Sequence, residues 1–182
     1  WVGRIVNTFG SASGVAIGPR TVLTARHVGE GTFWLGNESY AVVNAFRPPD
    51  APRPEGGTPS RVDLILINVD RDLPGWYRIA DRVRVGERGI YVGYGASGRV
   101  QGNGAAYTVA APAIGTRRAA PAPPVKGKVF VSGIGWAIYD ELVTPGQAIL
   151  LSGDSGGGLF IGGRLAGINS CNYNDSRVAD AP

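Results

Sequence analysis

One stretch of the sequence concentrates reactive chemistry: Gly153-Asp154-Ser155-Gly156-Gly157. A serine hydroxyl is a weak nucleophile. It needs a base to take its proton and fixed donors to receive the oxyanion that its attack creates. Glycines on both sides of Ser155 let the backbone turn so that two N–H groups converge near its Oγ, and those donors are assigned to Gly153 and Ser155. A glycine-rich turn with an exposed serine would read the same in isolation, so the partners decide. The base has one candidate, because His27 is the only histidine. It follows Thr21-Val22-Leu23-Thr24-Ala25, a β-branched, half-apolar run that reads as a strand. Asp63 leads Leu64-Ile65-Leu66-Ile67, an apolar run typical of a buried strand. A carboxylate at that edge needs a partner, since burying a bare charge is costly.

Chain order selects among the hydrolases that use such a constellation. Gly153–Gly157 also fits the G-x-S-x-G turn of α/β-hydrolases, but there the histidine follows the serine, and His27 precedes Ser155. A subtilisin-like order needs an aspartate before the histidine, and residues 1–26 contain neither Asp nor Glu. His, then Asp, then Ser remains. Thr24-Ala25-Arg26-His27, Asp63–Ile67, Gly153–Gly157 and Leu165-Ala166-Gly167-Ile168-Asn169-Ser170 occur in this order. Through these four motifs the chain, from Ser11 to about Asn172, resembles the chymotrypsin/trypsin-like serine protease superfamily.

The resemblance implies an all-β fold of two packed antiparallel β-barrels, with the active site in the cleft between them. It implies a catalytic triad of His27, Asp63 and Ser155, in which Asp63 holds the tautomer of His27 and stabilises the imidazolium. Ser170 should lie near Asp63, and residues 170–172 should pair with the substrate backbone by strand addition. The pocket for the side chain before the scissile bond should be formed by Ile149, Leu150, Leu151 and Ser152 together with Ser170, Cys171 and Asn172. No acidic residue lies in either segment and Ile149–Leu151 is apolar, so the expected substrate is a protein or peptide cleaved after small or medium apolar residues. The rival expectations are a catalytically silent, protease-like binding protein and an inactive precursor or fragment.

The elements that must position these residues are written in the composition. The 182 residues include 29 Gly and 13 Pro without a repeat, which argues for many tight turns between short strands. Strands are expected at 3–8, 12–17, 21–25, twice within 33–46, at 64–67, 89–95, 105–116, 129–138, 148–152, 158–161 and 165–170. Residues 47–60 and 117–128 read as loops. The domain junction is placed within 71–88, giving an N-terminal barrel over 1–80 with His27 and Asp63 and a C-terminal barrel over 81–182 with Ser155.

The net charge of +4 is carried by scattered arginines, not by the stripe that nucleic-acid binding requires. Hydrophobic residues at 43% and charged residues at 18% exclude a disordered chain. One histidine and one cysteine leave no metal-ligand spacing, so neither metal nor other cofactor is expected. Cys171 is alone, which precludes an internal disulfide and suits a partly buried thiol. No run reaches the ~18 apolar residues of a membrane span. The absence of Met makes Trp1 an unsuitable translation start. Either a signal or pro-segment has been removed or the sequence has been trimmed; a secreted or periplasmic enzyme is expected, and the Arg-over-Lys bias and Ala/Pro richness point to a bacterial source. Arg4-Ile5-Val6-Asn7 resembles a zymogen activation site but lies too close to His27, so Ile5 is assigned to the first strand and the partner of Asp154 is left open. Few residues follow Asn172, so either the second barrel is rearranged or a C-terminal segment is missing.

Overall fold

The computed structural model describes residues 1–52, 59–101, 106–110, 114–131, 134–140 and 150–170, and among them there is no α-helix. Among the described residues, therefore, no helix is long and apolar enough to cross a membrane.

Seven strands make one antiparallel sheet: β1 (Val2–Asn7), β2 (Gly10–Gly18), β3 (Thr21–Thr24), β4 (Thr32–Leu35), β5 (Glu38–Tyr40), β6 (Val42–Phe46) and β7 (Ile65–Val69). Their spatial order is β5-β4-β1-β2-β3-β7-β6. The edge strands β5 and β6 are separated by Ala41 alone, so the sheet curls into a nearly closed barrel. Asp70 pins that corner, its amide donating to the Ala41 carbonyl (2.9 Å) and its Oδ1 accepting from the Ala41 amide (3.1 Å). Alternation decides what faces inward: on β7, Ile65, Ile67 and Val69 are buried while Leu66 and Asn68 are not. Each such side chain contributes about 1.5–3 kcal/mol of burial. They meet Ile5, Val22, Ala25, Val28 and Phe33 in the barrel core.

The second half contains β8 (Ile90–Gly93), β9 (Ser97–Gln101), β10 (Ala106–Ala110), β11 (Arg118–Pro121), β12 (Val125–Val131), β13 (Gly135–Asp140), β14 (Gly158–Ile161) and β15 (Arg164–Ile168). Strands β11-β8-β14-β15 form a sheet, and β9–β10 and β12–β13 are hairpins. Leu159, Val125 and Ala122 are buried together with Ile138 and Tyr91 against them, and the Tyr91 hydroxyl donates to the Asp140 carboxylate. A third cluster joins the halves: Val2 and Val15 from the first barrel pack with Tyr94, Phe160 and Leu165 from the second.

Three local expectations are corrected. Residues 33–46 carry parts of three strands, because Ala41 breaks β5 from β6. The expected loop 117–128 contains β11 and the start of β12, where Ala119 and Ala120 pair with Val92 and Tyr91. Tertiary pairing there outweighs the weak strand preference of alanine. Leu150–Ser152 is not a strand. The Leu151 amide is spent on the Asp154 carboxylate instead of a sheet ladder.

Candidate active site

His27 stands in the turn that ends β3, closed by the Val28 and Gly29 amides donating to the Ala25 and Arg26 carbonyls. This turn lifts the half-exposed imidazole out of the barrel while Ala25 and Val28 stay buried. Asp63 sits two residues before β7, which pairs with β3 through Thr24↔Ile65, so the two side chains meet. The His27 ring Nδ1 lies 2.8 Å from Asp63 Oδ2, and the His27 amide donates to Oδ1 at 2.9 Å. Ser170, just past β15, donates its hydroxyl to the same Oδ2 at 2.6 Å. Burial pushes the Asp63 carboxyl up, but the bonds from the His27 ring, the Ser170 hydroxyl and the His27 amide outweigh it and hold the group below its ordinary range. The hydrogen bond to Asp63 raises the imidazole above its ordinary 6.5, against the pull of desolvation.

Ser155 lies on the turn after Leu151. Its hydroxyl donates to the Ser170 carbonyl at 3.3 Å, and among the described residues it has no hydrogen bond to His27. The turn is held from several sides. The Ser13 amide donates to the Ser155 carbonyl (2.9 Å) and the Ser13 hydroxyl to the Gly153 carbonyl (2.8 Å). The Gly156 amide donates to the Asn169 carbonyl (2.8 Å). Among the described residues, no carbonyl or side chain accepts from the Gly153 or Ser155 amides.

Of the residues assigned to the side-chain pocket, Leu151 is buried and Ser152 exposed, the latter accepting from the Ala96 amide at 2.8 Å. Leu150 is half-buried. Ile149, Cys171 and Asn172 lie outside the described residues. Ser13 escaped the sequence reading, although it is fully buried and touches the turn twice. Its carbonyl also accepts from the buried Thr24 hydroxyl at 2.8 Å. No sequence signal marks it, because its partner Gly153 is 140 positions away. No group of three or more His, Cys, Asp or Glu that could hold a metal ion occurs among the described residues.

Gly156 shows how tightly the turn is set. Its φ is +80°, beside +91° at Gly153, a region that side chains avoid. A Cβ there would overlap Thr24 Oγ1 and the Ser13 carbonyl oxygen. Gly156→Ala is expected to destabilise the fold by about 3 kcal/mol or more, combining backbone strain with a clash against buried main chain. The urea midpoint measures it, and a midpoint unchanged from the parent contradicts this packing.

Comparison with solved structures defines the class first. The chain aligns with mouse neuropsin, a serine protease expressed in the limbic system of the brain, at 22% identity and TM-score 0.65, over 93% of this chain and 81% of that one. It aligns with the active form of the protease Rv3671c of Mycobacterium tuberculosis at 18% and 0.62, over 95% and 70%. Human heparin binding protein gives 16% and 0.65, over 95% and 80%. At these identities the likeness is one of fold, the chymotrypsin-like pair of β-barrels. The family model for trypsin matches residues 1–180, and the chain belongs to that family of trypsin-like serine proteases. No curated protein matches it in sequence.

Proposed function

We propose that the protein is a serine endopeptidase that cleaves peptide bonds through an acyl-enzyme, with His27, Asp63 and Ser155 as its triad. The observation that carries this reading is the His27–Asp63–Ser170 network beside a serine whose own amide and that of Gly153 have no acceptor among the described residues. Asp63, kept ionised, accepts the Nδ1 proton of His27 and so presents Nε2 as the acceptor. The Ser155 hydroxyl leaves the Ser170 carbonyl, gives its proton to Nε2 and bonds to the substrate carbonyl carbon. The oxyanion formed is received by the Gly153 and Ser155 amides. His27 then returns the proton to the leaving amine as the peptide C–N bond breaks. Water repeats the sequence on the ester, its proton passing to His27 and then to the Ser155 oxygen.

The Ser170 carbonyl and the residues after it would pair with the substrate backbone, so the substrate chain replaces the Ser155–Ser170 contact. Leu150, Leu151 and Ser152 supply no charge to a side-chain pocket, which supports cleavage after small or medium apolar residues. A peptide-library profile dominated by Arg, Lys or Glu contradicts that preference. The contact of Ser155 with Ser170 in place of His27 favours a second reading, a protease-like binding protein without catalysis.

The pH dependence of kcat/KM tests the mechanism. Only neutral His27 can accept the proton, and its raised pKa places the acid limb above pH 6.5. Activity is expected to rise with pH through that limb as His27 loses its proton. A profile flat from acid to alkaline contradicts His27 as the base.

A further inference from the structure

Asp154, between the two candidate oxyanion donors, has a set of partners that the mechanism above does not use. Its Oδ1 accepts from the Gly95 amide at 2.9 Å and its Oδ2 from the Leu151 amide at 3.0 Å. Its own amide donates to the Leu151 carbonyl, and its carbonyl accepts from the Gly157 amide, each at 2.9 Å. Wherever this carboxylate sits, the Gly153 and Ser155 amides on either side must follow. The end of β8 lies against it so closely that a Cβ on Gly95 would overlap the carboxyl group.

A half-buried carboxylate is unstable without compensating charge. Among the described residues no cation lies in ion-pair contact with Asp154. Burial lowers the pKa of the Trp1 amino group, and the charge of Arg117 lowers it further. The charge that reaches Asp154 belongs to Arg118, which offsets part of the upward push of burial on the carboxyl. Arg118 opens β11 opposite Gly93 on β8, and its Nη1 donates to the Gly95 carbonyl at 2.8 Å. The same peptide unit donates its Ala96 amide to the Ser152 carbonyl at 2.8 Å. The guanidinium thus polarises a peptide that grips the turn at Ser152, while the preceding peptide grips Asp154. Of the other cations nearby, Arg117 acts on the Trp1 amino group through its charge and Arg4 lies by Gly115.

We propose that Arg118 is a positioning residue, holding the Gly153–Ser155 turn in its oxyanion-binding shape through the Gly95–Ala96 segment and the Asp154 carboxylate. The inference rests on the reading of that turn given under Proposed function. It assigns to a strand arginine the counter-charge for the aspartate that precedes the nucleophile.

The test compares the parent protein with Arg118→Met and Arg118→Lys. Carboxyl carbon-13 NMR follows the titration of Asp154, assigned with Asp154→Asn. Without the cation, the midpoint of Asp154 is expected to move up, and lysine restores most of the shift. In Arg118→Met kcat falls about tenfold with KM nearly unchanged, the mark of an interaction made only in the transition state, and Arg118→Lys keeps most of the parent kcat. An Asp154 midpoint in folded Arg118→Met equal to that of the parent overturns the proposal. So does an equal loss of kcat in the Met and Lys variants with Asp154 unmoved. If the parent itself hydrolyses no peptide, the endopeptidase reading fails, and the Asp154 midpoint alone still decides whether Arg118 holds the turn.

Discussion

Ser155→Ala is expected to lower kcat for peptide hydrolysis by about 10⁶ while leaving KM and the unfolding midpoint near the parent values. The magnitude follows from removing the nucleophile from a triad that acts as a unit, after which only the oxyanion donors and substrate binding remain. Little else should change. The hydroxyl makes one long contact to the Ser170 carbonyl, whereas the backbone of Ser155 is held by the Ser13 amide. Loss of that weak hydrogen bond costs about 0.5–1.5 kcal/mol at most. Steady-state kinetics on a cleaved peptide, paired with a urea titration, separates chemistry from folding. A variant that keeps a tenth of the parent rate would show that Ser155 is not the nucleophile.

Asp63→Asn is the second large effect, about a 10⁴-fold loss in kcat at neutral pH. Asp63 accepts three bonds, from the His27 ring, the His27 amide and the Ser170 hydroxyl. An amide can keep the acceptor contacts, but its NH₂ can instead meet Nδ1 and favour the wrong tautomer of His27. The loss of negative charge also removes what raises the imidazole pKa. The acid limb of kcat/KM should therefore move down in this variant as the rate falls. The sign is fixed by the carboxylate: it stabilises protonated His27, so its removal lets the ring lose its proton at lower pH. A residual activity whose acid limb stays at the parent position contradicts the role given to Asp63. Because Asp63 is buried, its stability should be checked alongside.

Much of this arrangement was legible because it is local. Glycines around Ser155 mark a turn whatever surrounds it, and Gly153 and Gly156 do take positive φ. A β-branched run ending in Arg26-His27 announces a strand and then a turn, and β3 stops at Thr24. The apolar run after Asp63 places a buried strand, and β7 begins at Ile65. What escaped is long-range. Ser13 looks like any serine on an alternating strand, yet it joins β2 to the turn at Gly153 and Ser155. Arg118 fell in a Pro- and Ala-rich stretch read as loop. Its meaning comes from pairing opposite Gly93, which no local pattern encodes. Leu150–Ser152 read as a strand from its apolar character, and the Asp154 carboxylate diverts the Leu151 amide from any ladder. The same limit applies to Asp154, whose acceptors reach back to Gly95. Its partner is a backbone amide brought close by the end of β8.

The most direct test is the intact mass of the protein after reaction with a fluorophosphonate. That reagent bonds only to a serine oxygen made nucleophilic by a neighbouring base and facing fixed oxyanion donors. The account predicts one adduct on the parent protein, none on Ser155→Ala, and labelling that speeds up as pH rises through the His27 titration. A folded parent protein that stays unlabelled at every pH would contradict an assembled triad and leave the binding-protein reading in its place.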